Sequence, residues 1–159
     1  MQSPFFRRNH MRIITIDTSR LKKYSIHDEE MLHDANRPCG LIIKLKYKGH
    51  RYDFAIPFRS NISASAPKGL YFPLPTRYST RPKCRHGLHY IKMFPIKRSW
   101  TFPFRIDNNI YAAMLKGIID KNEKQIIAEC QDYLKKYEEG IHPLYSTDID
   151  KLIDIMEHS

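Results

Sequence analysis

The sequence has little of what several protein classes need. Its three cysteines are an odd number at long spacings, which does not suit a disulfide framework and fits a reducing cytoplasm. No apolar run approaches the length of a membrane span, and the first ten residues, MQSPFFRRNH, lack the apolar core of a secretory signal. These absences predict a cytoplasmic protein without membrane contact.

The common cofactor and catalytic motifs are also absent. The chain has neither a phosphate-binding G-x-x-x-x-G-K loop, a G-x-G-x-x-G turn nor a G-x-S-x-G elbow. Cys84, His86 and His89 form a C-x-H-x-x-H pattern, but no fourth zinc ligand follows at a known spacing. In a strand, His86 and His89 would also point to opposite faces. We therefore expect no metal and no cofactor.

Acidic residues are scarce relative to basic ones. The 159 residues include 27 Lys and Arg against 17 Asp and Glu, a formal net charge of +10. A basic domain seeks polyanions, and nucleic acid and an anionic membrane surface are the candidates. Most of the positive excess precedes Arg105, whereas acids outnumber bases from Ile106 onward. The first two thirds of the chain are therefore expected to hold the polyanion.

The clearest structural pattern is LIIKLKYKGHRYDFAIPFRS, residues 41–60. Apolar residues alternate with charged ones on both sides of Lys48-Gly49, which predicts a β-hairpin with a tight turn at that dipeptide. Pro57 weakens further ladder pairing because it has no N–H to donate. Arg59, Ser60 and Asn61 would then follow a rigid strand, where a binding or catalytic group is held well.

Further strands are predicted at Arg12–Ile16, at 87–96 and near Trp100. Lys92 falls on an otherwise apolar face of the second of these, either as an edge residue or as a placed cation. Residues 61–85 form the least regular stretch, where cations alternate with aromatic residues. That composition suits an RNA surface, because cations pair with phosphates and rings stack on unpaired bases. It equally suits a solvated loop whose rings attach it to the core.

The rest of the chain is predicted to be helical. One helix would be capped by Asp107 or Asn108, and Gly140 would end a second, longer helix. The apolar positions expected to face inward are Ile110, Ala113, Met114 and Ile118 in the first helix; Ile126, Ile127, Cys130, Tyr133, Leu134 and Tyr137 in the second; and Ile149, Leu152, Ile153 and Met156 in a last helix capped by Thr147.

Strands followed by helices indicate an α+β fold with an antiparallel sheet partly covered by helices. We expect a single domain over residues 11–159 and an upstream or flexible N-terminal extension over residues 1–10.

The segment Arg59-Ser60-Asn61, with nearby cations and histidines, suits chemistry on a phosphodiester. Metal-free RNA cleavage needs a base for the 2′-OH proton, an acid for the leaving 5′-oxygen and cations for the phosphorane charge. Serine is a poor base at neutral pH, so a histidine is the better proton carrier. The candidates are His50, His86 and His89.

Three local matches give the chain a family resemblance. They are the opening MRIITIDTSRLKKY, the segment YKGHRYDFAIPFRSNI and the strand GLHYIKMFPI, which together cover about a third of the chain in family order. With these segments the chain resembles the ToxN/AbiQ-like endoribonuclease toxins of type III toxin–antitoxin systems. The second match is the most specific of the three.

The resemblance implies a compact, strongly twisted antiparallel sheet wrapped by helices. It implies metal-independent RNA cleavage that leaves 2′,3′-cyclic phosphate and 5′-OH ends, in the service of phage defence by abortive infection. The implied partners are a cellular RNA substrate and a small repeated pseudoknot RNA antitoxin, which inhibits the toxin by binding it directly. Protein and RNA would assemble into a closed ring or a smaller complex.

The family's catalytic serine falls on Ser60, and the position before it, often threonine, is Arg59 here. A family lysine two residues later falls on Ile62, so Arg59, Lys92 or Lys83 would have to supply that cation. Arginine-serine-asparagine at this point would mark a separate branch, such as CptN/TenpN. The family's early-loop tyrosine and lysine have no clear counterpart, and Arg37 is the nearest cation.

Residues and resemblance together predict the site. The catalytic set is Ser60, Arg59, His50, Lys92 and His86. The RNA-binding set is Arg37, Lys44, Lys46, Arg51, Asn61, Lys83 and Arg85. The alternatives are a non-catalytic RNA-binding module that uses the same basic groove, and a small interaction protein whose basicity is incidental.

Overall fold

The computed structural model describes residues 11–24, 38–77 and 80–159. Within these ranges the strands are β1 (Arg12–Ile16), β2 (Gly40–Tyr47), β3 (His50–Ser63), β4 (Tyr71–Leu74), β5 (Cys84–His89), β6 (Phe94–Pro95) and β7 (Thr101–Pro103). The helices are α1 (Thr18–Lys23), α2 (Ile110–Lys121), α3 (Glu123–Glu138) and α4 (Ile149–Glu157). Short 3₁₀ turns occupy Tyr90–Lys92 and Arg98–Trp100.

The strands form one antiparallel sheet in the order β4-β5-β3-β2-β1-β7, with β6 paired to β3 beside β5. The C-terminal half carries the three longest helices of the described chain, of which α3 packs on β2 and α4 on β6. These observations confirm the α+β fold class. No helix in the described ranges is long and apolar enough to cross a bilayer.

The hairpin of β2 and β3 has the predicted register and turn. Tyr47 faces His50, and the two turn residues Lys48 and Gly49 have positive φ angles of 49° and 79°. Two positive φ values are the geometry of a type I′ turn, which matches the right-handed twist of the strands. One core cluster contains the predicted inward residues of β2, namely Leu41, Ile43, Leu45 and Tyr47.

Strand β3 changes its partner near Pro57. It pairs with β2 as far as Pro57 and with β5 from Phe58 onward, and the register with β5 shifts between Arg59 and Ile62. Arg59, Ser60 and Asn61 therefore lie inside a fourteen-residue strand, not beyond its end as predicted. A bulge re-aims side chains and is common beside active sites.

The predicted strand over residues 87–96 is interrupted. Strand β5 ends at His89, the 3₁₀ turn follows, and β6 resumes the pairing with β3. A residue outside the segment takes part in this interruption, because the Tyr90 N–H donates to the Leu70 carbonyl at 3.0 Å. Tyr90 and Phe94 remain buried, as the apolar pattern predicted, while Lys92 leaves the ladder.

The helices confirm most of the C-terminal prediction. In α3 the buried residues are Ile126, Cys130, Tyr133, Leu134 and Tyr137, as expected. The caps differ from the prediction, because Asn109 caps α2 and Asp148 caps α4. In α2 the buried face was predicted wrongly.

Helix α2 has apolar residues on two faces, and the packed face is Ala112, Leu115 and Ile119. Ile110 is 90% exposed and Met114 is 40% exposed. The choice between the two faces depends on the sheet beneath, which periodicity alone does not specify.

Helix α3 also covers an open edge of the sheet. Strand β2 pairs with β1 only over Gly40–Ile42, so among the described residues its second half has no neighbouring strand on that side. The Gln131 side chain accepts the Lys46 N–H at 2.8 Å and donates to the Lys46 carbonyl at 3.0 Å. One amide thus satisfies a backbone donor and acceptor that an edge strand would leave open.

Residues 1–10 and the segment 25–37 lie outside the described residues. The predicted N-terminal extension therefore stays a prediction. The single-domain boundary at residue 11 also stays a prediction.

Candidate active site

Three basic side chains meet beside the point where β3 changes partners. Arg59 pairs in register with Gly87, and His89 lies two residues along the same face of β5. Lys92 follows in the 3₁₀ turn. Burial, then the charges of Arg59 and Lys92, lower the pKa of His89 to about 4. We call Arg59, His89 and Lys92 the cationic cluster.

The other two members of the cationic cluster are also perturbed. Burial lowers the pKa of Arg59. Burial, then the charge of Arg59, lowers the pKa of Lys92. Among the groups that cause these three shifts in the described chain there is no carboxylate. Closely spaced basic groups favour the binding of an anion, and phosphate is one that both arginine and lysine bind.

His89 adds a second indication of a ligand. Its Nδ1 atom is buried, and no described residue hydrogen-bonds to it. A buried polar atom without a partner costs roughly 1–3 kcal/mol, so such atoms are rare and a catalytic role is one explanation for them. A bound hydroxyl or phosphate would supply the missing partner.

Glycine is required at position 87, the residue of β5 that pairs with Arg59. A Cβ atom on Gly87 would lie 2.2 Å from the Phe72 carbonyl oxygen of β4, so no other residue fits at this point. The β4 backbone lies in the place that a side chain on Gly87 would take. Strands β4 and β5 therefore approach closely beside Arg59, which pairs with Gly87.

Ser60 adjoins the cationic cluster through the backbone. It follows Arg59 directly in the bulged part of β3, and its residue is only 7% exposed. Asn61, the next residue, is exposed and accepts the Arg81 N–H through Oδ1 at 3.0 Å. The bulge is thus tied to the loop before β5.

Two further predicted RNA contacts lie at this end of β3. Arg85 pairs with Ile62, and the Lys83 carbonyl accepts the N–H of Ala64 at 3.1 Å. The side chains of Lys83 and Arg85 are exposed, as is that of Asn61. Asn61, Lys83 and Arg85 therefore lie at the same end of β3 as Arg59, and Ser60 follows Arg59 directly in the chain.

His86 lies on the other face of the sheet. It is 1% exposed and packs between Phe58 and Tyr111, with ring centroids 6.3 and 6.1 Å away. Its Nδ1 atom lies 2.9 Å from the Pro75 carbonyl oxygen and 3.0 Å from the Tyr111 hydroxyl. Burial lowers the pKa of His86 and keeps the ring neutral. This placement separates His86 from the cationic cluster, and we leave it out of the proposed site.

His50 lies at the opposite end of β3. Ten residues separate it from Ser60, which corresponds to roughly 33 Å of extended chain. The predicted contacts Lys46 and Arg51 pair with each other next to it, and Lys44 pairs with Asp53, with Nζ and Oδ1 3.9 Å apart. The hairpin end is a second basic region, distinct from the cationic cluster. Arg37 lies outside the described residues.

His89 was one of three candidate histidines, and nothing in the sequence alone favours it over the other two. The features that could have singled out His89 are its position two residues after Gly87 and three residues before Lys92. Within the described ranges no three His, Cys, Asp or Glu side chains are close enough to hold a metal ion.

Comparisons with known proteins bear on the fold. No family model matches the sequence, and no curated protein sequence is significantly similar to it. A solved structure from a study described as "A processed non-coding RNA regulates a bacterial antiviral system" is similar, with a TM-score of 0.62 and 18% sequence identity. The alignment covers 92% of this chain and 97% of the other. The likeness supports the ToxN-like fold that the three sequence matches indicated, and the CptN/TenpN branch stays a prediction.

Proposed function

We propose that this protein is an RNA-cleaving toxin of a type III toxin–antitoxin system, active without a metal ion and inhibited by a small RNA. The observation that carries the proposal is the cationic cluster next to Ser60 in the chain, which combines three mutually interacting basic groups with a buried histidine nitrogen to which no described residue hydrogen-bonds. The fold likeness to a structure from an RNA-regulated antiviral system supports the same conclusion.

The cationic cluster suits transesterification at a phosphodiester. In this reaction the 2′-oxygen bonds to phosphorus and the bond to the 5′-oxygen breaks, which gives a 2′,3′-cyclic phosphate and a 5′-OH end. Arg59 and Lys92 would neutralise the charge that accumulates on the phosphorane oxygens. The Ser60 hydroxyl would hydrogen-bond to one of these oxygens.

His89 would move the proton from the 2′-OH. With its pKa lowered to about 4 in the free protein, the ring is neutral at pH 7 and can accept a proton. A bound phosphate would offset the charges of Arg59 and Lys92 and so raise this pKa toward the working pH, where a base is most effective. Lys92, whose pKa burial lowers, would protonate the leaving 5′-oxygen.

The two basic regions of β3 suit an RNA regulator. Roughly 30 Å separates the hairpin end from the bulge, so a folded RNA of that size contacts both and covers the cationic cluster. A short substrate contacts the bulge alone. We propose a repeated pseudoknot RNA as this regulator, with Lys44, Lys46, Arg51, Lys83 and Arg85 as phosphate contacts, within a protein–RNA oligomer in the cytoplasm.

A cleavage assay in EDTA tests the enzymatic proposal. Purified protein, stripped of RNA, is incubated with a mixed RNA beside Ser60→Ala and the matched control Ser63→Ala, an exposed serine three residues along β3. We expect cleavage with cyclic-phosphate ends by the wild type and by Ser63→Ala, and none by Ser60→Ala. RNA affinity should change by less than about twofold in both variants, because neither loses a charge.

The same assay separates the proposal from its alternative. If the folded, RNA-free wild type cleaves nothing while binding RNA with strong salt dependence, the protein is a binding module. If Ser60→Ala cleaves as well as Ser63→Ala, Ser60 is not in the active site.

A further inference from the structure

The loop between α3 and α4 presents an exposed aromatic residue next to Lys92. Tyr145 is 75% exposed and has a positive φ of 65°, an uncommon conformation for a residue with a Cβ atom. Its carbonyl oxygen accepts a hydrogen bond from the Lys92 Nζ atom at 2.7 Å. Backbone conformations of this kind persist only where the surrounding structure holds them.

The loop is held on several sides. The Ser146 N–H donates to the Pro143 carbonyl, and the Thr147 N–H donates to the Ile91 carbonyl, next to Lys92. The Tyr137 hydroxyl donates to the Thr147 carbonyl at 3.1 Å. These bonds fix the backbone while leaving the Tyr145 ring in solvent.

The start of the loop is fixed by stacking. The His142 ring lies on the Tyr137 ring with a centroid distance of 3.8 Å and an interplanar angle of 19°. His142 Nε2 lies 3.0 Å from the Tyr137 carbonyl oxygen. A rigid loop with an exposed ring loses little conformational entropy when that ring binds a ligand.

We propose that Tyr145 is a stacking platform for an unpaired base of the RNA whose phosphate binds the cationic cluster. This inference rests on the proposed function for the position of the phosphate. The contact between Lys92 and Tyr145 places ring and cation within about one nucleotide of each other, because a tyrosine ring extends about 6 Å from its backbone. Aromatic rings beside phosphate-binding cations are how proteins hold single-stranded RNA, since every base has a stacking face.

The proposal has a consequence for the substrate. A stacking platform needs a base that is free of pairing, so the cleaved position lies in a loop, a bulge or a single strand. Double-stranded RNA of the same sequence would reach the cationic cluster without using Tyr145. Any base preference would come from stacking strength, with purines favoured over pyrimidines.

Binding of an eight-nucleotide single-stranded RNA of mixed sequence tests the inference. It is measured in a Ser60→Ala background, so that the RNA stays intact, with Tyr145→Ala, Tyr145→Leu and Tyr145→Trp. Tyr145→Ala and Tyr145→Leu should weaken binding roughly 5- to 150-fold, while Tyr145→Trp should bind as tightly as tyrosine. The slope of affinity against salt should stay unchanged, because no phosphate contact is lost.

Two controls make the result specific. Phe102→Ala removes another exposed ring, 54% exposed on β7, and should leave affinity unchanged. Moving one abasic nucleotide along the RNA should reveal one position where the missing base weakens wild-type binding but adds nothing to Tyr145→Ala.

These experiments test the stacking platform independently of the enzymatic proposal. A Tyr145→Leu affinity equal to the wild type, or an abasic effect that persists in Tyr145→Ala at every position, overturns the platform. A wild type that never cleaves RNA but shows the abasic effect keeps the platform and refutes the nuclease.

Discussion

The half-buried histidine of the cationic cluster, His89, makes the stability of the fold depend on pH. In the folded chain His89 has a pKa of about 4, against 6.5 for an ordinary histidine, because burial and the charges of Arg59 and Lys92 disfavour the imidazolium. The unfolded chain therefore takes up a proton near pH 6.5 and the folded chain only near pH 4. Stability that is present above pH 6.5 is lost as the pH falls through this window.

The size of the loss follows from the two pKa values. For one histidine with these values, the free energy of unfolding falls by about 2 kcal/mol between pH 7.5 and pH 5. With a urea dependence of about 2 kcal/mol per molar, this corresponds to a shift of about 1 M in the unfolding midpoint. Other groups add their own pH dependence, so the informative quantity is the difference between wild type and His89→Gln.

Urea unfolding followed by the fluorescence of the buried Trp100, the chain's one tryptophan, measures this difference at both pH values. His89→Gln should lose about 2 kcal/mol less than the wild type on acidification. His50→Gln, which removes an exposed histidine of the hairpin turn, should behave as the wild type. Equal pH dependence in wild type and His89→Gln would refute the reasoning, as would an NMR titration of the His89 ring with a midpoint at or above 6.5.

A bound phosphate should reduce the same pH dependence. An anion in the cationic cluster offsets the positive charges that lower the pKa of His89, so the ring becomes easier to protonate in the folded chain. Repeating the pH 5 measurement with a saturating short RNA should therefore stabilise the wild type more than His89→Gln. Equal stabilisation of both would place the RNA phosphates away from His89.

Two further predictions concern the scaffold of the site. Gly87→Ala would place a Cβ atom 2.2 Å from a backbone carbonyl oxygen of β4 and should prevent stable folding, whereas Gly117→Ala, in open space on α2, should raise stability by about 0.5–1 kcal/mol in thermal unfolding. Gln131→Ala should cost about 1–2 kcal/mol, since it removes both partners of the Lys46 backbone, while Gln125→Ala, at an exposed position of α3, should change stability by less than about 0.5 kcal/mol. A folded Gly87→Ala, or equal effects of the two glutamine variants, would contradict the geometry.

The parts of the fold that the sequence predicted are those whose determinants are local. The hairpin was predictable because alternation sets the faces of β2 and β3, and Lys48-Gly49 supplies the two positive φ angles. The buried stripe of α3 was predictable because it is the single apolar face of that helix. Its hydrophobic residues recur at helical spacing and leave no second choice.

The structure differs from the sequence prediction where a residue distant in the chain decides between two locally possible conformations or faces. Helix α2 has two apolar faces, and the exposed one holds Ile110 and Met114. Strand β5 stops at His89, where the next N–H, that of Tyr90, donates to the carbonyl of Leu70, twenty residues earlier in the chain. The choice of histidine depends on a distant partner in the same way: the sequence indicates Arg59 and Ser60, whereas the pairing of β3 with β5 decides that His89 interacts with Arg59.

The position of the site follows from the change of pairing partner along β3, from β2 to β5. Pro57 cannot donate to a ladder, and Gly40 faces it on β2, where a Cβ atom would lie 2.2 Å from the Ile56 carbonyl oxygen. Gly87 faces Pro73 across β5 and β4 in the same way. Each glycine–proline pair lets two strands approach where ordinary side chains would separate them.

Between these two close approaches β3 leaves β2, joins β5 and takes up the extra residue of the bulge between Arg59 and Ile62. A regular ladder would alternate the side chains of Arg59, Ser60 and Asn61 strictly between the two faces of the sheet. The bulge interrupts that alternation. Straightening it, by deleting Asn61, should therefore preserve the hairpin and its core but separate Ser60 from the cationic cluster, and so abolish cleavage without unfolding the protein.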